Sequence, residues 1–291
     1  MHIPDMMLQG AICPITATVA SLGLAGTAYI ATKTKDKPAA SYFASVTALV
    51  FAAQMADFPI QLGTSGHLLG ATLAVALLGS AFGILAMALV VVAQCLIFAD
   101  GGISVLGANL LNMALIASLP AVIVREFFPS KTSNKTAYFV AAFISTLLAA
   151  GACAIQLAAA GFAPLQSVLP AMLSVHALIG LAEAGLTIAL LVVLVSILTR
   201  VAAHRAWMIP LGFAVVTALV IAPFAATSPD GLMSVAGTFG CTCDHGVCLL
   251  HHSAPLLAAP FAEYNVLTGF VGVVLLFAVA YGTGRVLVRS K

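Results

Sequence analysis

The sequence predicts an all-α fold: a polytopic membrane bundle of about nine transmembrane helices with its N-terminus outside. Three observations lead there. Of 291 residues, 62% are hydrophobic and 7% charged, whereas an ordinary soluble domain carries roughly 25% charged residues. The apolar residues gather into runs of the length that crosses a bilayer, about 20 residues each. All 11 Lys and Arg can be placed on one side, as the positive-inside rule requires of a membrane chain. A soluble enzyme is excluded, and no Lys/Arg cluster exists for nucleic acid to bind.

The spans follow in order. The first, 11–31, stops before Lys33, Lys35 and Lys37; the second, 39–56, stops before Asp57. The stretch 67–98 reads either as one long helix or as two short ones, 67–81 and 83–98, hinged at Gly79-Ser80 and Gly83. A single helix would set the three early lysines against the other eight basic residues, so two short helices are expected. Then come 104–124 before Arg125, 137–160 after Lys131 and Lys135, and 169–199 before Arg200 and Arg205. The last two, 207–226 and 264–284, flank a long outer loop and precede Arg285, Arg289 and Lys291.

On this topology the outer face carries Asp5, Asp57, Asp100, Asp230, Asp244 and Glu263 with no Lys or Arg. Such a face attracts cations; the plainer reading is of solvated loops emptied of basic residues by the topology rule itself. No positively charged leader precedes the first apolar run, so the chain is expected to begin at Met1. There is no internal repeat and no GxxxxGK[ST] phosphate loop, so an ATP-driven process needs another subunit.

The opening Met1-His2-Ile3-Pro4-Asp5 offers three nitrogens in a row: the terminal amine, the His2 amide and the His2 imidazole. Amine and amide close a five-membered chelate ring with a metal ion, and amide and Nδ1 a six-membered one. Tetragonal nitrogen ligation suits Ni(II) or Cu(II), and one more nitrogen would complete the square. Thr64-Ser65-Gly66-His67 places a histidine at the outer end of the third span, on the same side as His2, and the two could meet if the N-terminal strand folds into the bundle. The competing readings are a disordered terminus and an interfacial histidine.

These segments resemble the CbiM/NikM family, the metal-capturing membrane components of energy-coupling-factor transporters for cobalt and nickel. The resemblance runs through Phe51-Ala-Ala-Gln54-Met-Ala-Asp-Phe58-Pro59, Gly63-Thr-Ser-Gly-His67-Leu-Leu-Gly70 and Gln94-Cys-Leu-Ile-Phe98-Ala-Asp100-Gly101-Gly102. It continues in Leu106-Gly-Ala-Asn109-Leu-Leu-Asn112-Met113 and His176-Ala-Leu-Ile-Gly180-Leu-Ala-Glu183-Ala-Gly-Leu-Thr187, covering residues 1 to 205. It implies a metal held by the amine of Met1, the amide and imidazole of His2, and His67. It also implies Ni(II) or Co(II) as transported substrate, and as partners a transmembrane coupling subunit and cytoplasmic ATPase subunits in a bacterial or archaeal cytoplasmic membrane. Met6 departs from the family's Gly after the Asp, and the Pro4-Asp5 opening leans toward nickel. In the second region, 206–291, Ser228-Pro229-Asp230-Gly231-Leu232 resembles the two-span CbiN/NikN accessory proteins, with Met233 in place of their Glu.

The outer loop carries Cys241, Cys243, His245, Cys248, His251 and His252. Three thiols and three imidazoles form a candidate peripheral metal site; a disulfide with one thiol left over is the alternative. In the spans, His176 and Glu183 lie seven apart on one helix face, and Asn109 and Asn112 share a face by the i, i+3 rule. They are pathway candidates, or else a structural set in which His176 and Glu183 bond Asn109, Asn112 or Gln94. Cys13, Cys95 and Cys153 read as packing residues, and the dispersed methionines argue against a copper(I) conduit. The alternatives to metal capture are a membrane oxidoreductase, which needs two deep histidines where only His176 lies deep, and a metal-sensing or structural subunit.

Overall fold

In the computed structural model the described residues are 2–5, 7–61, 63–128, 134–239 and 266–289, with the backbone of 243–244 and 247–248. Among the described residues, seven helical stretches are long and apolar enough to cross a membrane: Ile12–Lys33, Ser80–Phe98, Leu106–Phe127, Lys135–Ala159, Leu165–Leu198, Ala203–Phe224 and Leu267–Arg289. Large apolar side chains such as Leu22, Phe224 and Leu267 point outward from them. In water that surface would be costly; against lipid it is not. The chain is an integral membrane protein.

Helix α1 is Ile12–Lys33 and α2 is Ala40–Gln54, a shorter helix with twelve of its fifteen residues buried. A small antiparallel ribbon, β1 (Phe58–Pro59) with β2 (Ser65–Gly66), follows. The third predicted span is corrected by the structure. Only Ala71–Leu78 is helical there, as α3, and residues 67–70 run non-helical into it. Eight residues rise only about 12 Å, so α3 alone does not cross a bilayer. The reason is a tertiary contact: the N–H groups of Leu69 and Gly70 are bound by a side chain of another helix, Glu183, instead of entering a helical ladder.

The hinge at Gly79 is present. Its φ of 91 and ψ of 165 are open to glycine and strained for other residues, and they turn the chain from α3 into α4 (Ser80–Phe98). Arg125 reaches this turn and donates to the Ala76 carbonyl at 3.0 Å, satisfying a group at the end of α3. Between 106 and 127 the helix is interrupted: α5 (Leu106–Asn109) passes into a π-helical segment, Leu110–Ile116, and then into α6 (Leu119–Phe127). Long α7 (Lys135–Ala159) and α8 (Leu165–Leu198) pack along each other.

The C-terminal region contributes α9 (Met208–Val216), a short helix α10 (Gly231–Thr238) and α11 (Val266–Arg289). Helix α11 lies along α2, and α9 packs on α2 as well. Between α10 and α11, β3 (Cys243–Asp244) pairs antiparallel with β4 (Val247–Cys248).

Candidate metal-capture site

The site is assembled where the N-terminal residues thread into the bundle. Ile3 is fully buried. Its N–H donates to Asn109 Oδ1 at 2.9 Å, Asn109 Nδ2 donates to its carbonyl at 3.0 Å, and Gly102 N–H donates to the same carbonyl at 2.8 Å. Asp5 Oδ1 accepts from the Ser104 N–H and hydroxyl at 2.9 and 2.6 Å. Gly102 has no room for a side chain, because a Cβ there would fall on the Asp5 backbone and carboxylate. Residues 2–5 therefore lie as a strap held along its length by 102–109.

The strap presents His2 to His67. Their rings stack, with centroids 5.6 Å apart and planes at 24°. His67 Nδ1 lies 3.2 Å from the Leu68 carbonyl, an acceptor only, so Nδ1 carries the proton and Nε2 the lone pair. His2 Nε2 lies 3.1 Å from Gln94 Oε1, and its Nδ1 lies 3.2 Å from Asp100 Oδ1. Burial pushes both imidazole pKa values down to about 3, so both rings are neutral at physiological pH. A neutral imidazole is a ligand for divalent transition metals; an imidazolium is not.

Glu183 and Gln54 hold the segment bearing His67. Glu183 Oε2 and Oε1 accept from the Leu69 and Gly70 N–H groups at 2.6 and 3.0 Å, and Gln54 Nε2 donates to the Leu69 carbonyl at 2.6 Å. The expectation that Glu183 and His176 bond Asn109, Asn112 or Gln94 is corrected. Glu183 serves backbone groups, and His176 Nδ1 donates to the Met172 carbonyl at 2.8 Å. Both lie on α8, whose buried face meets the 65–70 segment and α10, while Asn109 is committed to the strap. Asn112 forms a reciprocal pair with Gln156, at 2.8 and 2.7 Å.

The C-terminal region reaches the same place. Ser65 N–H donates to the Pro229 carbonyl at 2.9 Å and its hydroxyl to the Ser228 carbonyl at 2.7 Å; Thr64 and Ser234 hydroxyls meet at 2.8 Å. Asp230 caps α10, accepting from Met233 N–H at 2.8 Å. It lines a cavity of about 20 Å³ with His67, His176, Gly66 and Gly231, room for one water molecule.

Of the predicted site residues, His2 and His67 come together, with Asn109 and Glu183 supporting one each. His176 lies on the cavity beside His67, and Asn112 lies apart in its pair with Gln156. Met1, Cys241, His245, His251 and His252 lie outside the described residues, as does Met6; of Cys243 and Cys248 only the backbone is described. Cys13, Cys95 and Cys153 carry free thiols. Among the described residues, no three His, Cys, Asp or Glu side chains gather as a metal site. The sequence reading missed the roles of Gln54 and Asp230: Gln54 stands in a quoted motif but has no chemistry of its own until its neighbours are known.

Comparison with known proteins decides the family. The model for the CbiM cobalt uptake substrate-specific transmembrane region matches residues 2–205. The chain belongs to the CbiM family. A putative fused nickel transport protein NikMN of Archaeoglobus fulgidus is 39% identical over 192 residues, which is 64% of this chain and 63% of that protein. The chain thus aligns to less than two thirds of that relative's length. A putative metal transport protein of Haloquadratum walsbyi is 34% identical over 193 residues, 64% of this chain and 86% of its own. Among solved structures, a truncated transition metal transporter superposes on this CbiM-family chain with a TM-score of 0.60 at 29% identity. It covers 67% of this chain and 99% of its own length.

Proposed function

We propose that this chain is the substrate-capturing membrane component of an energy-coupling-factor transporter that imports Ni(II) or Co(II). The observation that carries the reading is the meeting of His2 and His67. A buried strap from the chain's start and a non-helical segment ahead of α3 bring two neutral imidazoles into stacking contact. The ligand set proposed is the Met1 amine, the His2 amide and Nδ1, and His67 Nε2. Edge-on ligation by both imidazoles calls for one ring to turn out of the stack. Asp100 beside His2, with Asp230 beside His67, supplies negative charge for a cation.

On this reading the N-terminus faces outside and the metal enters from there. The amide of His2 loses its proton on ligation, so capture releases protons. Transfer inward needs a transmembrane coupling subunit and cytoplasmic ATPases, because the sequence has no phosphate loop of its own. Residues 206–291 act as a fused accessory region of the CbiN/NikN kind. The grip of Ser228, Pro229 and Ser234 on Thr64 and Ser65 supports a role in seating the His67 segment.

The test adds one residue before Met1 and measures nickel and cobalt binding to the purified chain. Both imidazoles stay, while the amine leaves the fused chelate rings. Tight binding should be lost. Affinity equal to that of the unextended chain would refute the ligand set, and dispensable His2 and His67 would point to a sensing or structural subunit.

A further inference from the structure

The two buried glutamines beside the site form a directional chain, and its direction has a chemical result. The Leu69 carbonyl can only accept a hydrogen bond, so Gln54 must turn Nε2 toward it, as it does at 2.6 Å. Gln54 Oε1 then faces Gln94 and accepts from Gln94 Nε2 at 2.7 Å. That leaves Gln94 Oε1 facing His2 Nε2 at 3.1 Å. An amide oxygen has no proton to give, so the imidazole must give one.

We propose that Gln54 and Gln94 are positioning residues that hold the His2 proton on Nε2 and so leave Nδ1 to bind the cation. This rests on the ligand set proposed above, in which only Nδ1 closes a six-membered ring with the residue's own amide. Nε2, on the far side of the ring, cannot. The alternative tautomer is a real competitor, because the Asp100 carboxylate lies 3.2 Å from Nδ1 and would accept a proton there. The Asp100 side chain is 33% exposed to solvent, which weakens its pull. Gln94 and Gln54 are buried, at 0% and 5%, and reversing their chain would set an amide oxygen against the Leu69 carbonyl. Leu69 is two residues from His67 and is also held by Glu183. The same anchor thus seats one metal-binding histidine and selects the tautomer of the other.

The experiment uses the full chain with ¹⁵N-labelled histidine rings, in nanodiscs at neutral pH. Ring nitrogen shifts separate a protonated nitrogen from one with a lone pair, and loss of signal in His2→Ala identifies His2. The unaltered chain should carry the proton on Nε2. Gln54→Met keeps the volume but removes the anchor, freeing Gln94 to turn its nitrogen toward His2. The proton should then move toward Nδ1, and nickel affinity should fall about tenfold or more, the usual effect of losing a partner that orients a ligand. Adding Asp100→Asn removes the competing carboxylate and should return the proton to Nε2, a rescue that a packing role for Gln54 would not produce. A proton on Nδ1 in the unaltered chain overturns the proposal. So does a Gln54→Met variant with unchanged tautomer and affinity. If His2→Ala binds nickel as tightly as the parent, the ligand set fails, and the nitrogen shifts still decide the relay by themselves.

Discussion

Asn109 holds the Ile3 peptide by both of its polar groups, accepting its N–H at 2.9 Å and donating to its carbonyl at 3.0 Å. The side-chain amide plays the part of a neighbouring strand, which explains how an N-terminal segment can lie extended inside a helical bundle. Asn109→Leu leaves one or both groups of a fully buried peptide unpaired, costing about 1–3 kcal/mol for each. Gly102 N–H still reaches the carbonyl, so the N–H bears most of the loss. Residues 2–5 should undock and nickel affinity should fall about tenfold or more, with the helices still folded. Titration calorimetry reads this, and an Asn109→Leu chain that binds like the parent contradicts the docking.

Gly102 tests the same strap from the other side. The Cβ of Gly102→Ala would collide with the Asp5 N–H and carboxylate, so the strap must lift and the two Ser104 bonds to Asp5 must break. Amide hydrogen exchange at Ile3 and Asp5 should quicken markedly, and nickel binding should weaken with it. Unaltered protection at those amides would show that the strap tolerates the methyl group.

Ala99 ends α4 in the left-handed region, φ 56 and ψ 24, with Asp100 N–H closing on the Gln94 carbonyl at 3.0 Å. This geometry favours glycine and costs an L-residue roughly 1–2 kcal/mol. Ala99→Gly should raise the melting temperature by a few degrees while the Asp100 carboxylate stays beside His2. Thermal unfolding in detergent reads it; a lower melting temperature would mean that the added freedom of the unfolded chain outweighs the relieved strain.

Hydropathy and basic-residue placement made the long helices and the Gly79 break legible, since both depend on composition over many residues. His2 and His67 were legible because polar groups are scarce in this chain. The shortness of α3 was not. Residues 67–70 are apolar enough to read as helix, and only a carboxylate 114 positions away, on α8, withdraws their N–H groups. The same applies to Gln54 and Asn109: Asn109 pairs with the Ile3 backbone, and Gln54 with the Leu69 carbonyl and the Gln94 side chain, partners that no spacing rule exposes.

Glu183 accordingly has a different role from the one its position in a helix suggests. Its two oxygens take two adjacent N–H groups, so Glu183→Gln replaces one acceptor with a donor aimed at another donor. The first turn of α3 and the segment bearing His67 should loosen, lowering nickel affinity, and Glu183→Ala should lower it at least as far. Because the glutamine has nearly the same volume, a loss in Glu183→Gln without a large fall in melting temperature separates this role from packing. Parent-like affinity in both variants would remove it.

Asp57, in the loop after α2, gives the chain a pH dependence of definite sign. Burial, with the Asp230 and Asp100 carboxylates adding to it, pushes its pKa up from 3.8 to about 7. The folded protein therefore holds this proton more tightly than the unfolded chain does. Ionising the group costs stability as pH rises from about 4 toward 7, and the cost is complete above that. His2 and His67, depressed from 6.5 to about 3, act in the opposite sense: they withdraw stability as pH falls below 6.5 toward 3. The Asp57 contribution is therefore read as the difference between Asp57→Asn and the parent at each pH. The variant's advantage in melting temperature should grow from pH 5 to pH 7 and then level off. A difference that stays constant across that range would mean Asp57 titrates as it does in the unfolded chain.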